Sequence, residues 1–152
     1  MLSKETDASN NYVVDQKSNT IRFERLLHAS REEVFDAWTK PEEVTDWWDP
    51  DGVPLTSCEI DLRVGGSFSF VSRQHPEMPF GGIYREIVRP ERLAFEAMGA
   101  MGHVALRAVG EETSMTVEIV CRSAEHLEQF TKLGVANGTS RTLDNLVARF
   151  DQ

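Results

Sequence analysis

The sequence predicts an α+β fold of the helix-and-curved-sheet kind. It has an antiparallel sheet of about seven strands, two short helices after the first strand, and a long C-terminal helix across the concave face. Three observations predict it. An alternating stretch at 20–29 runs straight into a pair of helix starts. Six further runs of period two, separated by turn residues, fill 55–121. After Ser123 the apolar and small residues recur at helical spacing as far as Phe150. Strands followed by helices in this order make an α+β layer, and a long twisted sheet curls, so its apolar face needs a cover.

The first strand, Thr20 to Ala29, places Ile21, Phe23 and Arg25 on one face. Ser30-Arg31-Glu32-Glu33 then reads as a capping box, the serine hydroxyl and the glutamate carboxylate each accepting from a free N–H at a helix start. Val34, Ala37 and Trp38 continue that helix. Pro41 suits the first turn of a second one carrying Val44, Trp47 and Trp48, and Asp49-Pro50-Asp51-Gly52 ends it with turn chemistry.

Strands are predicted near 55–64, 67–73, 80–88, 92–98, 102–109 and 113–121. The glycines in "DLRVGGSFSF" (Asp61 to Phe70) are a hairpin turn and not a phosphate loop. The residues after them alternate with period two, whereas a phosphate site needs a helix start. Cys58, Ile60, Leu62 and Val64 share one face of the preceding strand. The last segment, 123–150, is predicted as one continuous helix. Gly134 and Gly138 lie on its inward stripe, at a cost of about 1 kcal/mol each relative to alanine. That cost implies close approach to the sheet or a kink. Residues 1–19 are predicted as a polar, mobile tail and 20–152 as one domain, since no repeat or linker divides them.

The formal net charge of −9 argues against a hold on nucleic acid or anionic lipid. No apolar run reaches the roughly 18 residues needed to span a bilayer, and the N-terminus lacks the apolar core of a secretory signal. With two separated cysteines, Cys58 and Cys121, a reduced cytoplasmic chain is expected. The four histidines (His28, His75, His103 and His126) are scattered without metal spacing, so no metal and no cofactor are expected.

Three stretches together, "REEVFDAWTKPEEVTDWW", "DLRVGGSFSF" and "GGIYREIVRPERLAFEA", resemble the family related to the C-terminal domain of activators of the heat-shock-protein-90 ATPase. That family lies within the START-like (Bet v 1-like, SRPBCC) superfamily, whose fold is called the helix grip. The resemblance covers about Thr20 to Phe150. It implies a cavity between the last helix and the sheet that takes a small hydrophobic or amphipathic ligand. It also implies two alternatives, a chaperone-associated interaction module or a cyclase, dehydratase or hydrolase using the same cavity. The family usually carries a Gly-Trp pair midway along the last helix; here the pair is Gly138-Thr139.

On this reading the helices contribute Trp38, Trp48, Phe130, Gly134 and Gly138 to the cavity wall. The strands contribute Phe68, Phe70, Tyr84 and Phe95, then Met98, Leu106, Met115 and Val117. Each is equally an ordinary core residue. Trp47 and Trp48 are neighbours on a helix and cannot enter the same core. One is expected inside, and the other covers the cavity mouth or anchors a partner. If there is catalysis, Tyr84, Glu96 and His103 are the polar groups to consider, although no nucleophile arrangement accompanies them.

Overall fold

In the computed structural model, residues 4–7 and 11–151 are described. One sheet of nine strands forms the frame, in the order β1-β2-β3-β9-β8-β7-β6-β5-β4, every neighbouring pair antiparallel. The strands are β1 (Lys4–Asp7), β2 (Tyr12–Asp15), β3 (Thr20–Leu27), β4 (Ser57–Ile60), β5 (Ser67–Val71), β6 (Phe80–Val88), β7 (Arg92–Ala97), β8 (Ala100–Val109) and β9 (Glu112–Val120). The helices are α1 (Arg31–Thr39), α2 (Pro41–Trp47), α3 (Ala124–Lys132) and α4 (Val135–Arg149). This is the helix-grip arrangement, α4 lying over the concave side of the sheet.

The seven expected strands are all present, with two additions and with ends that shift by up to four residues. The stretch expected as a tail supplies β1 and β2. Tyr12 stands opposite Phe23 in the register, with ring centroids 5.8 Å apart, so an aromatic contact ties β2 to the core strand β3. Strand β4 ends at Ile60, earlier than expected, and Leu62 and Val64 are exposed in the turn. Gly65, with φ +86, makes that turn possible, and its N–H donates to the Tyr84 carbonyl at 2.8 Å. Between β7 and β8 the expected run "GAMG" is mostly strand. A two-residue turn, Met98-Gly99, with both φ angles positive, suffices to reverse the chain.

The capping box forms as expected: Ser30 Oγ accepts from the Glu33 N–H, and the Ser30 N–H donates to the Glu33 carboxylate. The predicted single C-terminal rod does not form. It is two helices, α3 and α4, broken at Leu133-Gly134, where Gly134 takes a left-handed conformation (φ +74) as the N-cap of α4. The apolar stripe is continuous across the break, which is why helical spacing alone did not reveal it.

Candidate functional site: a cavity beneath the last helix

Concave-face positions of the central strands follow from the pleat. On β9 these are Met115, Val117 and Ile119, on β8 Gly102, Val104 and Leu106, and on β7 Phe95 and Ala97. Helix α4 is held above them by contacts at two sides. On the β3 side, Arg25 Nε donates to Asp144 Oδ1 at 2.9 Å and Arg25 Nη2 to Ser140 Oγ at 2.8 Å. On the α2 side, Thr142 Oγ1 donates to the Trp48 carbonyl at 2.9 Å and Asn145 Nδ2 to the Asp49 carbonyl at 2.9 Å. Arg149 adds ion pairs to Asp46 and Glu43. The helix is therefore tethered at its edges, with an open space beneath its N-terminal half.

That space is a cavity of about 260 Å³. Its walls are Val135, Gly138, Thr139, Thr142 and Leu143 of α4, Phe130 of α3, Trp38, Trp48 and Pro50 from the α1–α2 side, and Phe80 of β6. The floor and rim come from Phe95, Ala97, Met98, Ala100, Met101, Gly102, Val117 and Ile119. No charged side chain is among them. Gly102 lies opposite Phe95 in the register, and an added Cβ there would fall 2.5 Å from the Phe95 ring. Glycine thus lets that ring lie flat across the neighbouring strand. Gly82 does the same for Phe68, to which it is paired.

A second space of only about 10 Å³ lies behind the first, among Phe68, Phe70, Tyr84, Leu93 and the shared rings Trp38, Trp48, Phe80 and Phe95. It is barely large enough for one water molecule. Aromatic packing nearly closes it: Trp48 contacts Phe70 and Phe80 at centroid distances of 4.9 and 5.1 Å, and Phe68 contacts Tyr84 at 5.1 Å.

The expected wall residues therefore separate into three groups. Trp38, Trp48, Phe95, Met98, Val117, Phe130 and Gly138 line the cavity. Phe68, Phe70 and Tyr84 line only the small space behind it. Leu106 and Met115 are core residues, Met115 accepting from Trp38 Nε1 at 3.4 Å, and Gly134 makes the helix break. Of the two tryptophans, Trp47 is fully buried with Nε1 donating to the Ala37 carbonyl at 2.9 Å. Trp48 closes one side of the cavity. Phe80 and the small residues Ala97, Ala100 and Gly102 were missed. Phe80 directly follows the proline-flanked loop, and small residues on a strand carry no signal that they border a space.

The three polar candidates do not converge. Tyr84 points into the aromatic cluster, and burial, with a smaller contribution from Cys58, raises its phenol pKa well above the ordinary range. Glu96 is exposed and ion-paired to Arg85 at 2.9 Å, and His103 is exposed on β8. Strand alternation puts Glu96 and His103 on the opposite face from their cavity-lining neighbours Phe95, Ala97 and Gly102. Among the described residues no group of three or more histidines, cysteines or carboxylates could hold a metal ion.

A family model described as "Activator of Hsp90 ATPase homolog 1-like protein" matches residues 28–151. The chain belongs to that family. None of the curated proteins matches this activator-like chain. Among solved structures it is similar to a protein of Nitrosomonas europaea (TM-score 0.76, 21% identity, covering 85% of this chain and 92% of that one). It is also similar to the AHSA1-like protein of Aeromonas hydrophila (TM-score 0.68, 20% identity, 86% and 93% covered). A third similar structure is CalU16 of Micromonospora echinospora (TM-score 0.65, 20% identity, 99% and 84% covered). At these identities the likeness shows the shared fold. Among the described residues no helix of this family member is long and apolar enough to cross a membrane.

Proposed function

We propose that this activator-family domain binds a small hydrophobic or amphipathic molecule beneath α4, in the cytoplasm and without chemical turnover. The observation that carries this reading is the cavity of about 260 Å³ whose lining includes no charged side chain. Native cores leave few voids larger than a water molecule, so a space of this size is a departure from ordinary packing. It is smaller than the roughly 300–1,000 Å³ of sites for drug-sized ligands and larger than the roughly 150 Å³ that accommodates benzene. Burying eight to ten carbons at about 0.8 kcal/mol each gives about 6–8 kcal/mol, which corresponds to micromolar binding.

The chaperone-partner reading draws its support from the family alone. Trp48, the residue expected to anchor a partner, has its ring packed against Trp38, Trp47, Phe70 and Phe80. An enzymatic reading has only Tyr84 on the concave side, and it faces the small rear space. Titrating compact apolar compounds while following tryptophan emission and the melting temperature tests the proposal. Saturable quenching with a raised Tm supports it; unchanged emission and Tm across compounds of one to three rings and eight- to twelve-carbon chains removes it.

A further inference from the structure

The described helices hold five threonines, and four of their hydroxyls have partners. Thr39 Oγ1 donates to the Phe35 carbonyl at 2.9 Å, Thr131 Oγ1 to the Leu127 carbonyl at 3.0 Å, Thr45 Oγ1 to the Leu55 carbonyl at 3.2 Å, and Thr142 Oγ1 to the Trp48 carbonyl at 2.9 Å. Thr139 is the exception. It is one turn into α4, where the same bond to the preceding turn is open to it, yet its hydroxyl has no partner among the described residues, and it stands in the cavity wall. The other wall threonine, Thr142, is already committed to Trp48.

The rest of the lining restricts what a ligand can be. Trp38, Trp48, Phe80, Phe95 and Phe130 contribute aromatic rings, and Met98 and Met101 contribute polarizable thioethers. Such walls favour a flat aromatic ligand, which stacks and makes sulfur–ring contacts. A carboxylate or ammonium buried here would meet no compensating charge and carry an uncompensated desolvation penalty. The volume lies between one ring and three.

Taking the ligand-binding reading as its basis, we propose that the cavity selects an uncharged aromatic molecule of about two fused rings carrying one hydrogen-bonding substituent, and that the Thr139 hydroxyl is the group that recognises it. Thr139 is then the specificity-determining residue of the site.

The test uses calorimetric titration of the full chain with 2-naphthol, naphthalene, 2-naphthoate and decanoate. The expected order puts 2-naphthol about fivefold tighter than naphthalene, the worth of one hydrogen bond, with 2-naphthoate and decanoate weaker than both. Thr139→Val keeps the branched shape and removes the hydroxyl, so it should bring the naphthol-to-naphthalene affinity ratio to about one. Thr139→Ser should retain the advantage. The inference is overturned if naphthoate or decanoate binds as tightly as 2-naphthol, or if Thr139→Val leaves the naphthol-to-naphthalene ratio intact. Either of those results would leave the ligand-binding reading standing. Failure of all four probes and of the wider panel above removes both.

Discussion

Arg25 of β3 and Asp144 of α4 meet at 2.9 Å, guanidinium Nε donating to carboxylate Oδ1, with the Arg25 side chain only 7% exposed. The same guanidinium reaches Ser140 Oγ on α4 and the backbone carbonyls of Asn11 and Glu24. One buried cation thus joins the helix, the core strand and the turn before β2. Arg25→Ala should destabilise the fold by about 2 kcal/mol, the scale of lost hydrogen bonds to a charged group. Asp144 remains half-exposed and solvated, so the larger penalty of an orphaned buried carboxylate does not apply. Urea unfolding of the two proteins measures it; an unchanged midpoint would show that the Arg25 contacts add nothing to the hold on α4.

Gly134 and Gly138 lie four residues apart yet should respond oppositely to alanine. Gly134 has φ +74, where an L side chain costs about 1–2 kcal/mol, so Gly134→Ala should lower stability by that amount. Gly138 is regular helix, and an added Cβ would meet nothing nearer than Pro50 at 4.0 Å. Gly138→Ala should therefore raise stability by up to about 1 kcal/mol. Thermal unfolding of both variants decides: a Gly134→Ala protein as stable as the native one would contradict the break between α3 and α4, and a destabilised Gly138→Ala would contradict the open space at that position.

Two strand glycines should rank in a definite order. At Gly102 an added Cβ meets the far edge of the Phe95 ring, which can swing into the cavity. At Gly82 it meets the Glu96 carbonyl oxygen at 2.1 Å as well as the Phe68 ring, and backbone cannot swing away. Gly102→Ala should cost about 1–2 kcal/mol and Gly82→Ala about 3, within the range for overpacked sites. Denaturant midpoints give the ranking directly.

Cys58 should be a poor nucleophile. Burial raises its pKa from 9.0 to about 11, so at pH 8 its thiolate population is about a hundredfold below that of an ordinary thiol. Cys121 is raised by the same cause. Iodoacetamide labelling followed by mass spectrometry should show slow modification of the folded protein at both positions and rapid modification in urea. Fast labelling of folded Cys58 would mean that the β4 edge opens readily.

Much of this frame was legible before the fold was known, because local chemistry and global packing agree along most of the chain. Ser30 and Glu33 announce a helix start, and Phe68 and Phe70 alternate with Ser67 and Ser69 as a half-buried strand must. The features that escaped depend on backbone torsion or partner geometry. Strand β2, Tyr12-Val13-Val14-Asp15, has β-prone residues but is only four long within a polar stretch, and its pairing with β3 is what marks it as part of the sheet. The break at Gly134 leaves the apolar stripe unchanged and alters only one φ angle. Within the site, aromatic residues were identifiable as inward but not as cavity-lining or core, since both environments suit the same side chains. Glu96 and His103 were misplaced for a simpler reason: their polarity suggested chemistry, while strand parity assigns them to the outer face. Thr139 differs from other helical threonines only in an absent partner, which no spacing rule reveals.

If the space under α4 is where a molecule is held, filling that space abolishes binding. Thr139→Trp introduces an indole into the wall of the cavity of about 260 Å³ and should take up a large part of it. Calorimetric titration of both proteins with 2-naphthol should show saturable micromolar binding to the native sequence and none to Thr139→Trp, whose melting temperature should be equal or higher. Equal affinity in the two proteins would place the ligand elsewhere and contradict the account.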